Sequence, residues 1–178
     1  MKIYIIILSV LSLFSFSACS QNTAQKQNPS GKTTPHIGGP CEGCEAIYES
    51  AIPLEQLNET DTLPDFSEPG PKIEISGIIY HADGKTPAAG VVLYVYHTNQ
   101  KGIYPNKGDE KGWAKQHGYI RGWVKTDNNG FYQFFTLRPA HYPEQNAMEH
   151  IHVTVKEPGK NEYWLSEYMF DDDPLLTA

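Results

Sequence analysis

The sequence predicts an all-β fold: an antiparallel β-sandwich preceded by an irregular N-terminal extension. Three observations predict it. From Lys72 onward apolar and polar residues alternate with period two in short runs, strong turn signals separate the runs, and no stretch beyond that point carries a convincing helical period. A chain of 178 residues with 39% hydrophobic and 20% charged residues has enough apolar surface for a packed core.

The strands follow in order. Ile73, Ile75 and Gly77 alternate with Glu74, Ser76 and Ile78, and Asp83-Gly84 marks a turn. The run Val91-Val92-Leu93-Tyr94-Val95-Tyr96 is apolar at every position, as in a strand covered on both faces. Residues 102–118 are rich in Gly and Lys and read as a long loop, a length associated with function or mobility. Residues 119–126 alternate again, Asn128-Asn129-Gly130 turns the chain, and residues 131–137 form an aromatic-rich strand. Residues 150–156 alternate strictly, Glu157-Pro158-Gly159 turns, and residues 163–170 supply a last strand.

Upstream the sequence reads as an address and a tether. Lys2 precedes an apolar run that ends in Ser17-Ala18-Cys19, the pattern of a secretory signal. The run is shorter than the ~20 apolar residues that a spanning helix needs. Phe16-Ser17-Ala18-Cys19 resembles a bacterial lipoprotein lipobox, which implies a signal peptide over residues 1–18 and a lipidated Cys19. The expectation is therefore an exported bacterial lipoprotein, held at the cell-envelope membrane through its N-terminal lipid. Residues 19–35 are polar and read as a flexible tether. Residues 36–71 form an N-terminal extension, and residues 72–178 the sandwich domain. Within the extension, the stretch from residue 45 to 57 suggests a short helix interrupted or started by Pro53, and residues 61–71 are Pro-rich and extended. In an exported protein Cys41 and Cys44 read first as a small structural disulfide; a zinc site needs two further ligands, and no thioredoxin-like pattern surrounds the pair.

A net charge of −7, with only Arg121 and Arg138 as arginines, argues against nucleic acid as a partner. Chemistry concentrates in Glu149-His150-Ile151-His152-Val153-Thr154-Val155. In a strand alternate side chains share a face, so Ile151, Val153 and Val155 point to the core while His150 and His152 point together to the other side, their Cα atoms ~6.5 Å apart. Two readings stand on these residues alone: a solvated pair of surface histidines, or half of a metal site. Nearby oxygen donors are Tyr142, in Pro139-Ala140-His141-Tyr142-Pro143, and Tyr104, in Lys101-Gly102-Ile103-Tyr104-Pro105. A phenol titrates near 10, so tyrosine ligates well only where a highly charged cation lowers that value. Fe(III) does this, whereas Zn(II) carries less charge and favours nitrogen and sulfur.

In this order, the blocks resemble the intradiol ring-cleavage dioxygenases, non-haem Fe(III) enzymes that include protocatechuate 3,4-dioxygenase. The resemblance runs from about Ile73 to Pro174. It rests on Gly77-Ile78-Ile79 with Asp83-Gly84-Lys85-Thr86-Pro87, on residues 91–97 leading to Tyr104, on Arg121-Gly122 with Thr126-Asp127-Asn128-Asn129-Gly130-Phe131-Tyr132 as a central hairpin, on Arg138-Pro139-Ala140-His141-Tyr142-Pro143, on Glu149-His150-Ile151-His152, and on Ser166-Glu167-Tyr168-Met169-Phe170 with Asp173-Pro174. It implies a sandwich of the intradiol dioxygenase type. It implies Tyr104, Tyr142, His150 and His152 as ligands of one Fe(III), with Tyr142 and His150 axial and Tyr142 released when a catechol chelates the iron. It implies O2 and a catecholic ring as substrates and a cis,cis-muconate-type diacid as product. Ala147 stands at the position of the family's arginine, and only Arg121 or Arg138 could substitute; Arg121, on a strand facing the same way as Tyr119 and Trp123, is the expected catalytic and substrate-binding residue, and Glu167, where the family often has Gln, an expected substrate-binding residue. The competing expectation is a non-enzymatic envelope binding module for phenolics, ferric chelates or polymer on the same sandwich. Homo-oligomerisation is left open.

Overall fold

The computed structural model describes residues 41–176. The expected signal peptide, the lipidated Cys19, the tether over residues 19–35 and the first residues of the extension lie outside the described residues.

Seven strands form two sheets. In chain order they are β1 (Thr60–Thr62), β2 (Lys72–Ile78), β3 (Val92–Tyr96), β4 (Arg121–Lys125), β5 (Phe131–Leu137), β6 (His150–Lys156) and β7 (Glu162–Met169). One sheet has the order β1-β5-β2 and the other β4-β3-β6-β7. Every pair between these strands is antiparallel except β1 with β5, which run parallel. Strand β1 lies outside the predicted sandwich domain, whose strands pair only antiparallel as expected. The extension is also more than an irregular appendage: it supplies β1, whose three residues are too few to show a period of two.

Period two explains the sandwich. Leu93, Val95, Ile151, Val153, Val155, Phe134 and Val124 meet between the sheets, and all are buried. Strand β3 is covered on its other face as well, as its continuous apolar run requires. There Val92 and Tyr94 pack under Ala46, Ile47 and Leu57 from the extension. The extension does this with two short 3-10 turns, Cys44–Glu49 and Leu54–Gln56, in place of the expected short helix. Pro53 caps the second turn, because its fixed φ and missing N–H suit a first position and break a continuing helix. Cys41 and Cys44 are joined as a disulfide with Cα atoms 5.6 Å apart.

Two further features differ from the sequence reading. The turn at residues 126–130 does not close a hairpin within one sheet; it carries the chain from β4 in one sheet to β5 in the other. Asp127 holds this corner by accepting from the N–H groups of Asn129 and Phe131. The long loop after β3 contains one short helix, α1 (Ala114–His117), four residues that give no readable period.

The two loops that matter leave adjacent strand ends and are tied together. At the end of β3 the buried His97 ring bridges to Thr136 Oγ1 of β5 at 2.7 Å, crossing between the sheets. Thr98 Oγ1 donates to the Ala140 carbonyl at 2.5 Å, and Ala140 N–H donates to the Asn99 carbonyl at 3.3 Å. Gly102 lies against the second loop at φ 71°, where an added Cβ would fall 2.0 Å from the His141 carbonyl oxygen. Gly102→Ala should therefore lower unfolding stability by at least ~2 kcal/mol, from left-handed strain plus a backbone clash. Urea unfolding of the two proteins measures it, and equal midpoints would contradict the clamp.

Candidate metal centre

The exposed side of the four-stranded sheet carries the site. His150 and His152 leave β6 on the face away from the core, as the alternation requires: Ile151 and Val153 are fully buried between the sheets, while the histidines are half-buried. Tyr104 comes from the loop after β3 and Tyr142 from the loop after β5, the two loops clamped at Thr98 and Ala140. The four residues singled out from the sequence meet.

Their ring heteroatoms converge. Tyr104 Oη lies 2.5 Å from Tyr142 Oη and 2.8 Å from His152 Nε2. Tyr142 Oη lies 3.3 Å from Nε2 of both His150 and His152, and the two Nε2 atoms are 3.2 Å apart. Each histidine presents Nε2 because its other nitrogen is engaged. His150 donates Nδ1–H to the Met148 carbonyl at 2.6 Å. His152 Nδ1 faces Glu167 Oε1 at 3.6 Å, and a carboxylate there favours the proton on that nitrogen.

Glu167 reaches this place through a β-bulge. The β6–β7 register passes from Ile151↔Tyr168 to Val153↔Leu165, so Ser166 and Glu167 together oppose His152. Such a bulge re-aims a side chain. The structure thus sets Glu167 behind a histidine; it is not among the residues lining the cleft described below.

Arg121 is likewise not brought into the cluster. It faces the same side of the sheet, but Tyr96 is paired with both Arg121 and His152 across β3. Two strand spacings, ~9.6 Å, separate the backbones. The guanidinium pairs with Glu49 at 2.6 Å and lies over Trp123. Burial pushes the Tyr94 phenol upward, and the Glu49 pairing helps keep Arg121 charged.

Burial sets the electrostatics. It pushes His152 down to about 3, with the charges of His150, His117 and His97 adding to the effect, so its imidazole is neutral at pH 7. It pushes the Tyr104 phenol strongly upward, with the Tyr142 hydrogen bond next in importance. With His152 neutral and Nδ1 of each histidine turned to Met148 or Glu167, the two phenols supply the protons for five close contacts, and none lies between the two Nε2 atoms. The cluster is short of positive charge.

A cation would supply it. Donors ~2.05 Å from one ion and at roughly 90–110° to each other lie ~2.9–3.4 Å apart, close to most separations here. The residues therefore fit a metal ion, held by Tyr104, Tyr142, His150 and His152. Among the described residues no group of three or more His, Cys, Asp or Glu offers another such site. For the raised Tyr104 phenol to ligate as a phenolate, the ion must be strongly polarising.

A cleft of about 350 Å³ opens over the cluster. Tyr104, Tyr142 and His152 form its floor and Tyr96, Trp113 and His117 its aromatic side. Tyr96 is stacked between His117, at 3.8 Å between centroids, and His152, at 4.6 Å. His117 was missed in the sequence, where one histidine in a Gly- and Lys-rich loop gives no signal. Its Nδ1 is 2.8 Å from Tyr94 Oη.

Comparison with known proteins bears on the family and the fold. A family model described as "Dioxygenase" matches residues 46–177. Catechol 1,2-dioxygenase 1 of Acinetobacter lwoffii is 32% identical over 162 residues, 82% of this chain and 49% of that protein. The protocatechuate 3,4-dioxygenase beta chain of Burkholderia cepacia is 27% identical over 113 residues, 60% of this chain and 48% of that one. Among solved structures, catechol 1,2-dioxygenase from Acinetobacter sp. ADP1, inhibited by bound mercury, superposes with TM-score 0.52 at 27% identity, covering 65% of this chain and 42% of that chain. Hydroxyquinol 1,2-dioxygenase from Pseudomonas putida shares the fold, with TM-score 0.51 at 20% identity over 80% of this chain and 51% of that chain. The chain spans about half the length of the curated relatives it matches.

Burial, then the nearby Arg121 charge, pushes His117 down to about 4, against about 6.5 in an unfolded chain. A depressed folded value means that stability is full above pH 6.5 and is lost as pH falls toward 4. In metal-free protein, His117 should account for up to ~3 kcal/mol of that loss. His117→Phe keeps a stacking ring without a titrating group, so the gap in acid sensitivity between wild type and variant, read by urea unfolding at pH 7.5 and 4.5, isolates it. Parallel pH profiles would contradict the assignment.

Proposed function

This chain belongs to the intradiol ring-cleavage dioxygenase family, and from that premise we propose that it holds one Fe(III) and cleaves a catecholic ring with O2. The supporting observation is the convergence of two phenols and two imidazoles, short of positive charge, beneath an open aromatic-walled cleft. Tyr104, Tyr142, His150 and His152 hold the metal in this reading. When bound, Fe(III) supplies Lewis acidity and a template that draws electron density from the catechol and makes it reactive toward O2. The carbon–carbon bond between the two hydroxyl-bearing carbons breaks, each carbon gains one oxygen atom of O2, and a cis,cis-muconate-type diacid results.

The chain's own residues handle protons and position. Tyr142 Oη lines the cleft and touches three other donors, so, in the phenolate form that a bound metal would favour, it is the group placed to take a proton from an entering catechol. His150 and His152 keep Nε2 free of protons because Met148 and Glu167 face their other nitrogens. Tyr96, stacked between His117 and His152, holds both imidazoles in place along the aromatic side of the cleft. We also propose that the domain is exported and anchored through Cys19, on the strength of the N-terminal sequence pattern.

A second reading has one observation behind it. Ala147 stands where the family has an arginine, and neither arginine of the chain lines the cleft. Without a cation to stabilise charge developing on the ring, the site would bind a ferric catecholate and turn over slowly, as a binding module. Protein supplied with iron should show a tyrosinate-to-Fe(III) absorption band that shifts on anaerobic addition of catechol, followed by O2 uptake on aeration. Tyr142→Phe and His152→Gln should each lower O2 uptake at least ~100-fold. Full activity in either variant would refute the ligand assignment; a shifting band with no O2 uptake would favour the binding module.

A further inference from the structure

The charge around the cleft is one-sided. Glu42 lines it, and Glu167 stands behind His152. Among the described residues no lysine or arginine lines it. The two arginines are already engaged. Arg121 is on Glu49 at 2.6 Å, and Arg138 is on Glu149 at 2.5 Å and forked onto Asp172 at 2.8 and 2.7 Å. Lys107 and Lys111 lie on a neighbouring cleft, with Glu49, Asp109 and Glu110.

Glu42 is held in place. It sits inside the loop closed by the Cys41–Cys44 disulfide, and Cys44 is buried. The next residue, Gly43, has φ 83° and packs so tightly on the cleft wall that a Cβ would lie 3.0 Å from His117 Nε2 and 3.3 Å from Trp113. Only a residue without a side chain fits between the loop and that wall. The Gly43 carbonyl then accepts from Ala46 N–H to start the first 3-10 turn. The loop thus seats a carboxylate at the cleft over the metal-binding cluster, from a segment that the strand pattern leaves out.

We propose that this cleft selects its catechol by charge, accepting a ring whose substituent carries an ammonium group or no charge and rejecting one that carries a carboxylate, with Glu42 as the specificity-determining residue. The proposal rests on the ferric catechol-binding reading above. A catechol whose hydroxyls reach Tyr104, Tyr142 and His152 has its ring in the cleft that Glu42 also lines, so an ammonium substituent meets an opposite charge there. A carboxylate meets a like charge, with no lysine or arginine among the described residues of the lining to offset it. Glu42 is exposed, so each effect is of the modest size of a solvated ion pair, about fivefold at most, and is screened by salt.

The test is anaerobic spectral titration of the iron-loaded protein with catechol, 3,4-dihydroxybenzoate and 4-(2-aminoethyl)catechol, at low and high salt, for wild type, Glu42→Gln and Glu42→Lys. The wild type should bind the amine roughly tenfold more tightly than the carboxylate, with catechol between them. The ratio should shrink about fivefold in Glu42→Gln, reverse in Glu42→Lys, and narrow at high salt. A carboxylate that binds most tightly to wild type, or a ratio unmoved by both substitutions, would overturn the charge preference while leaving catechol binding intact. No spectral response to any of the three would overturn the ferric catechol reading itself, and the charge preference with it.

Discussion

Two hydrogen bonds, from Thr98 Oγ1 to the Ala140 carbonyl and from Ala140 N–H to the Asn99 carbonyl, hold together the loops on which the site depends. One loop follows β3 and carries Tyr104; the other follows β5 and carries Tyr142. These strands belong to different sheets, so nothing in sheet pairing alone fixes one loop against the other. The buried His97–Thr136 contact ties the two strand ends, and Asp65 completes the tie by accepting from Thr136 and from Leu137 N–H. Gly102 then allows the loops to touch. The histidines need no such device, because two steps along one strand place them on the same face.

The same clamp explains how a charge-poor cluster persists. Four lone-pair-bearing atoms with five of their separations at 3.3 Å or less repel unless a cation or protons sit among them. Rigid elements hold them there: two on a central strand, two on loops anchored at both strand ends. Rigidity of this kind places the cost of assembling donors on folding and leaves binding free of it. The half-buried phenol of Tyr104 and the half-buried imidazole of His152 both resist charge of their own, and the proposed metal ion would supply the charge that they lack.

How much of this was legible in the sequence follows from range. Local patterns read correctly: period two placed Ile151 and Val153 in the core and the histidines outside it, and the unbroken apolar run of β3 foretold cover on two faces. Resemblance to a family named the four residues that the structure brings together. What failed to read was set by distance across the fold. Arg121 has the right face but lies two strands from His152, a separation that strand order alone reveals. Glu167 reaches His152 through a bulge, and one extra residue in a ladder leaves no mark in a single sequence. The turn at residues 126–130 has the composition of a hairpin, yet it joins two sheets. Strand β1 is three residues long and owes its existence to β5.

The N-terminal extension illustrates the last step from packing to function. A sheet of four strands has two faces, and the sandwich covers one of them. On the other, Ala46, Ile47 and Leu57 cover Val92 and Tyr94, and the cover stops one residue pair further along β3, at Tyr96. From there outward the face holds Tyr96, His117, His152 and the converging Tyr104 and Tyr142 instead of aliphatic side chains. The cleft is therefore the uncovered remainder of a sheet face, bounded on one side by the segment that shields the rest. A segment recruited to bury apolar surface thereby places Gly43 against His117 and Glu42 at the cleft. The residue at position 42 is open to change without altering the four converging side chains, because it and they come from different parts of the chain.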